Sequence, residues 1–231
     1  MSLTQRNIDI LKIIVEEYIE TWELLWSKLL LKKYDLGVSP ATVRNDMVTL
    51  EKLELIHQPY NSAGRLPTAK WLRAFVNYLM EQTPEHLLWE VSVSSGKDDI
   101  KKLSDFIHKL VFELAKNTQE IAFFVIPERH VCEYSGVARF LEDNSERMWK
   151  EIYSLVKMLE DKFNFMKFIE NFPVNPGINV FIWEENILPF FKDYTIILKP
   201  VKIDGEIWYI GIIWSLKMNY SFNISAVKGI I

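Results

Sequence analysis

Apolar residues recur at helical spacing from the start of the chain. Ile8, Leu11, Ile14, Val15, Tyr18 and Ile19 follow Thr4, a residue suited to an N-cap, and predict an amphipathic helix from Thr4 to about Thr21. A second, shorter helix is expected from about Leu24 to Tyr34. The run Asp35-Leu36-Gly37-Val38-Ser39-Pro40 then interrupts the pattern, with Ser39 placed as an N-cap and Pro40 as a first helical residue, so a third helix must begin there. In it Val43, Met47 and Leu50 fall on one stripe, extended by Leu53, while Ala41, Asn45, Val48 and Lys52 fall opposite, flanked by Thr42, Arg44 and Thr49. Two short extended pieces around a turn-rich tip follow from Leu55 to Pro67, and Thr68 caps a helix through Trp71, Phe75, Tyr78 and Leu79.

Beyond this the pattern changes. The stretch from Gln82 to Gly96 is polar and broken by Pro84 and Ser94-Ser95-Gly96, and reads as a linker. Leu103, Phe106, Ile107, Leu110, Val111 and Leu114 mark a helix, Ile121 to Ile126 a buried strand stopped by Pro127, and Met148, Ile152, Leu155, Leu159 and Phe163 one further helix. Strand-like runs cover Ile178 to Trp183, Tyr194 to Lys199 and Ile207 to Trp214, the last two joined by a hairpin turn at Lys202-Ile203-Asp204-Gly205. The whole reads as α+β: a winged helix-turn-helix over residues 1–81, a linker at 82–96, and a domain with an antiparallel sheet flanked by helices over 97–231. The 231 residues accommodate two domains at roughly 100 to 200 residues each.

Charge sharpens the first part. The chain carries a net charge of -4, yet between Lys28 and Arg73 the cations Lys28, Lys32, Lys33, Arg44, Lys52, Arg65, Lys70 and Arg73 face only Asp35, Asp46, Glu51 and Glu54. A local basic field of this kind is what duplex DNA requires, whatever the average over the chain. Small, hydroxyl, amide and cationic side chains on the exposed face of the third helix can meet base edges or phosphates without steric conflict. The candidate DNA contacts are Lys28, Ser39, Ala41, Thr42, Arg44, Asn45, Thr49 and Lys52, with Ser62, Arg65 and Lys70 from the wing and its flank. A plain solvated helix face would have a similar composition.

Two motifs in order decide between these explanations. Val38-Ser39-Pro40-Ala41-Thr42-Val43-Arg44-Asn45-Asp46-Met47, followed by Gln58-Pro59 and Ser62-Ala63-Gly64-Arg65-Leu66-Pro67-Thr68, closely resembles the DNA-binding domain of HrcA, the bacterial heat-inducible transcription repressor family. Leu3-Thr4, Val15 to Thr21 and Ser27-Lys28 are similar to that family's opening helices. Glu184-Glu185-Asn186, Gly205, Gly211-Ile212-Ile213 and Lys217-Met218-Asn219-Tyr220 are similar to its closing, GAF-like segment. The resemblance implies a homodimeric repressor that binds an inverted-repeat operator, the CIRCE element, upstream of chaperone operons, and that depends on the GroEL chaperonin. Three departures stand out. Trp22-Glu23-Leu24-Leu25-Trp26 replaces a glycine- and proline-bearing stretch, the family's inserted dimerising segment is missing or cut down after Pro127, and Ser215-Leu216 stands where Gly-Pro is usual.

The remaining chemistry narrows the field. His130 and Cys132 lie close together, but two donors do not make a zinc site and His57, His86 and His108 fall in unrelated elements, so no metal, cofactor or catalytic thiol is expected. Glu142-Asp143 and Glu184-Glu185 have no nucleophile-bearing or glycine-rich context, and the expectation is of a protein that is not an enzyme. A single cysteine, no opening signal segment and no apolar run near the roughly 18 residues of a membrane span point to the cytoplasm. The aromatics Phe123, Phe124, Phe181, Trp183, Phe190, Phe191, Trp208 and Trp214 are explained most simply as core. A ligand-responsive winged-helix regulator, with the aromatic domain as sensor, is the alternative.

Overall fold

The computed structural model describes residues 4–21, 25–58, 60, 63–82, 99–143, 149–182, 185–188, 191, 194–203, 205–216 and 218–230. The expected linker, apart from Gln82, lies outside these, as do Ser62, Trp22 to Leu24, Trp183, Glu184, Phe190 and Lys217. The chain divides into two compact units, Met1–Tyr78 with Lys217–Asn219, and Leu79–Leu216 with Tyr220–Ile231.

In the first unit α1 (Gln5–Thr21) starts at Thr4, whose hydroxyl accepts from the Asn7 amide at 3.2 Å. Helix α2 (Ser27–Lys33) is shorter than expected, because Leu25 is taken by an antiparallel bridge to Arg65. Helix α3 (Pro40–Lys52) begins as its cap signal requires: Ser39 Oγ accepts from the Thr42 amide at 3.2 Å, and Pro40 occupies the first turn, where no amide is needed. Val43, Met47 and Leu50 are buried against Ile10, Leu11, Ile14, Leu25, Leu30 and Ile56, each stabilising the unit by about 1.5 to 3 kcal/mol relative to exposure. Leu53, at the C-cap, is only half-buried. The strands β1 (Ile56–His57) and β2 (Leu66–Pro67) pair antiparallel, and α4 (Ala69–Gln82) is capped by the Thr68 hydroxyl. The buried face of α4 is Leu72, Phe75 and Val76. Tyr78, expected on that stripe, is 48% exposed, with Lys12 Nζ 5.6 Å from its ring centroid.

Two buried carboxylates tie these helices together. Asp46 of α3 accepts from Arg6 Nε at 2.7 Å, Arg6 Nη2 at 3.2 Å and Asn7 Nδ2 at 3.1 Å, all from α1. Glu17 of α1 accepts from Lys33 Nζ at 2.6 Å and from the Tyr34 hydroxyl at 2.7 Å, which pins the end of α2. The Lys33 ammonium holds the Glu17 carboxyl below its ordinary value of 4.5, against the opposing effect of burial and with further help from Tyr34. A carboxyl whose pKa is depressed by folding adds stability above its unfolded pKa and loses it as pH falls through the folded one. The melting temperature of the wild type should therefore exceed that of Glu17→Gln above about pH 5, the difference closing as pH falls through the depressed pKa of the folded carboxyl. A difference independent of pH would show that the charge pair contributes nothing.

The second unit is built on a five-stranded antiparallel sheet in the order β4-β3-β7-β6-β5, comprising β3 (Ile121–Ile126), β4 (Val131–Ser135), β5 (Asn179–Ile182), β6 (Tyr194–Ile203) and β7 (Glu206–Ser215). All six residues of β3 are buried, the sign of a strand covered on both faces. The hairpin β6–β7 closes with Ile203 opposite Glu206, and Gly205 takes φ +89°, the left-handed region such a tight turn demands. Strand β4, unanticipated in the sequence, follows a single 3-10 turn at Pro127–Arg129. Helices α5 (Asp99–Thr118), α6 (Val137–Asp143), α7 (Trp149–Glu160), α8 (Lys162–Glu170) and α9 (Tyr220–Lys228) complete the unit. Helices α5 and α9 pack on strands and on each other, and α8 packs on β3.

The single helix expected through Met148 to Phe163 is in fact two, α7 and α8. The Asp161 side chain accepts from the Asn164 amide and restarts the chain as a new helix, leaving Phe163 53% exposed. The core rings pair with one another: Phe123 meets Phe165 edge-on at 5.3 Å between centroids, Phe124 meets Trp208 at 5.7 Å, Phe140 meets Trp214 at 5.1 Å, and Phe191 stacks on Phe168 at 4.6 Å.

Candidate nucleic-acid interface

The local rules of α3 decide what it presents. With Val43, Asp46, Met47 and Leu50 buried, helical geometry leaves Ala41, Arg44, Asn45, Val48 and Lys52 exposed on the opposite side, with Thr42 and Thr49 half-buried at its margins. The Thr49 hydroxyl donates to the Asn45 carbonyl at 3.1 Å, so it is occupied within the helix. Ser39 lies at the N-terminal end, where its hydroxyl also meets that of Thr42 at 2.9 Å. Seven of the eleven expected contacts, Ser39, Ala41, Thr42, Arg44, Asn45, Thr49 and Lys52, thus lie on or at the start of one helix.

Cations separate into two groups. Arg6, Lys33 and Arg65 are consumed by Asp46, Glu17 and Glu51 respectively. Lys28, Arg44, Lys52 and Lys70 are exposed and pair with no carboxylate among the described residues. Asp46, Glu17 and Glu51 are thereby each matched by a cation from within the unit, while Lys28, Arg44, Lys52 and Lys70 stay at the surface with the exposed acids Asp35 and Glu54.

Arg65 departs from the expectation of a phosphate contact. Its guanidinium lies 3.3 Å from Glu51 and donates to the Ala63 carbonyl at 3.2 Å, its side chain is 13% exposed, and its backbone is held by Leu25. Arg65 fastens the β1–β2 hairpin to α3 instead of projecting from it. Asp46, absent from the expected contacts, orients α3 through α1. Its mark in the sequence is an acid on the apolar side of the helix.

The residues outside this region take structural roles. Cys132 is buried in β4 and burial pushes its thiol up to about 11, which leaves it protonated and unreactive near neutral pH. His130 is exposed in the turn before it. Among the described residues no cluster of three or more His, Cys, Asp or Glu side chains could hold a metal ion, and no helix is long and apolar enough to cross a membrane. Asn186 donates to the Phe191 and Tyr194 carbonyls at 2.9 Å each, and Tyr220 meets the Thr195 hydroxyl at 2.8 Å, so these two members of the closing motifs hold loops and helix to the sheet.

A small helical unit with an uncompensated basic face, joined to an antiparallel sheet covered by helices, is an α+β arrangement shared over 98% of both chains with a crystal structure described as that of a hypothetical protein, at a TM-score of 0.72 and 18% identity. Residues 41–224 match the family model described as "HrcA protein C terminal domain". This chain belongs to the HrcA family. It is 40% identical over 122 residues to the "Heat-inducible transcription repressor HrcA" of Clostridioides difficile, and 39% identical over 125 residues to that of Thermobifida fusca. Those alignments cover 51% and 54% of this chain but 36% of each relative. The matched segment is therefore little more than a third of the relatives' length.

Proposed function

We propose that the protein is a DNA-binding transcriptional repressor of heat-shock operons, not an enzyme, in which residues 1–81 form a winged helix-turn-helix and α3 enters the major groove. The exposed face of α3 carries this reading, because it keeps Arg44, Asn45 and Lys52 outward while Asp46 is buried against Arg6 and Glu51 is paired with Arg65. Arg44 is suited to a guanine edge or a phosphate and Asn45 to adenine, with Ala41, Thr42 and Thr49 allowing close approach. Lys28, Lys52 and Lys70 serve as phosphate contacts, Ser39 as cap and phosphate neighbour, and Ser62 as the wing's contact. Arg65 is assigned to holding the wing.

The relatives are named heat-inducible transcription repressors, which supports a repressor of chaperone operons acting in the cytoplasm through an inverted-repeat CIRCE-type operator. Such an operator requires two recognition helices about 34 to 36 Å apart or a multiple of it, hence a homodimer. We assign dimerisation to the GAF-like domain over residues 97–231, and infer a dependence on GroEL from the family resemblance. The aromatic rings of that domain pack on one another, which supports core in preference to a ligand sensor.

Binding of the purified protein to a CIRCE duplex should exceed binding to a scrambled duplex by about a thousandfold. Arg44→Ala should weaken the specific complex by about 1 to 3 kcal/mol and relax selection at the contacted base. Equal affinity for both duplexes would overturn the operator reading.

A further inference from the structure

We propose that Trp26 and Lys32 form, with Lys28 and Arg44, a cleft that grips one sugar–phosphate strand beside the groove entered by α3, and this rests on the DNA-binding reading given above. A surface cavity of about 600 Å³ is lined by Trp26, Ser27, Lys28, Leu29, Lys32 and Arg44. Lys28 and Lys32 stand four residues apart on α2 and so lie on one side of it, a turn apart. Arg44 brings a third cation from α3. Among the described residues no carboxylate lines the cavity, and the acids tied to neighbouring cations, Glu17 and Asp46, are buried in the pairs with Lys33 and Arg6.

Trp26 distinguishes this cavity from a generic anion site. Its side chain precedes α2 and is 47% exposed, a large apolar surface left in water beside three cations. A deoxyribose–phosphate strand offers both complements at once: an apolar sugar face for the indole and anionic oxygens for the ammonium and guanidinium groups. A small anion would use only the cations. An acidic peptide would match the charge, but it has no reason to lie against the exposed face of α3.

The test uses the full chain and a 30-base-pair duplex of random sequence, with affinity measured by fluorescence anisotropy between 50 and 300 mM salt. Each phosphate neutralised contributes about 0.9 to the slope of log affinity against log salt. Lys32→Ala should weaken binding to any duplex and reduce that slope by about one. Trp26→Ala should weaken binding about 5- to 10-fold and leave the slope unchanged, because it removes apolar contact and releases no counterion. Trp26→Phe should restore part of the loss. Circular dichroism confirms that each variant is folded, as the surface position of both residues leads one to expect.

Arg44→Ala serves as the reference. If it weakens binding while folded Lys32→Ala and Trp26→Ala variants bind as the wild type does, the cleft is not a DNA contact and the assignment of α3 stands. If none of the three changes affinity, both fall. Competition by poly-glutamate that depends on Lys32, together with full DNA affinity in Trp26→Ala, would reveal a generic anion cleft and overturn the sugar contact.

Discussion

Gly211→Ala should destabilise the second unit by on the order of 3 kcal/mol or more, seen as a loss of sheet signal and a lower melting temperature. Gly211 sits mid-strand in β7, opposite Phe123 on one neighbour and Leu198 on the other. A Cβ there would lie 2.3 Å from the Ile197 carbonyl oxygen and 2.5 Å from Phe123 Cζ. The carbonyl belongs to the backbone of β6 and cannot move without breaking the ladder. The Phe123 ring is held edge-on by Phe165 and is itself fully buried, so it cannot swing away. A glycine usually weakens a strand interior. Here its missing side chain is the space the aromatic ring occupies. The double variant Gly211→Ala with Phe123→Leu relieves the ring clash but not the carbonyl one, and should recover only part of the loss. Wild-type stability in Gly211→Ala would refute this account.

Asp46→Ala should lower the stability of the first unit by about 2 kcal/mol and weaken DNA binding as well. Removing one member of a buried ion pair costs about 3 to 5 kcal/mol, and the solvent exposure of Arg6 reduces that figure here. The sign of the binding effect is informative. By charge alone, deleting an acid from α3 strengthens attraction for phosphates. If Asp46 acts by holding α3 to α1 through Arg6 and Asn7, its loss lets the helix rotate and affinity falls despite the gain in positive charge. The slope against salt should stay the same, since no phosphate contact is removed. Tighter binding by Asp46→Ala would show that α3 needs no such brace.

How much of the interface was legible follows from the range of the interactions involved. The cap at Ser39-Pro40 and the buried stripe of Val43, Met47 and Leu50 depend on residues within a few positions of one another, and both lie where the periodicity places them. The pairing of Ile56–His57 with Leu66–Pro67 is likewise short-range. Arg65 shows the limit. Its sequence context suggests a surface arginine at a hairpin, but Glu51, fourteen positions earlier, competes for the guanidinium and draws it inward. The helix expected through Met148 to Phe163 divides into α7 and α8 because a polar side chain at Asp161 offers the backbone a local alternative that apolar periodicity does not register.

The sequence by itself determined where α3 begins, which of its faces is buried and that its surroundings are basic, because caps, helical period and local charge are properties of neighbouring residues. Tertiary structure alone decided which cations are bound to carboxylates and which stay exposed. Arg6 meets Asp46 across forty positions and Lys33 meets Glu17 across sixteen, and only folding brings such partners within bonding distance. The same holds for Gly211, whose necessity comes from a ring on an adjacent strand 88 positions away in the chain, against which no local pattern could have set it.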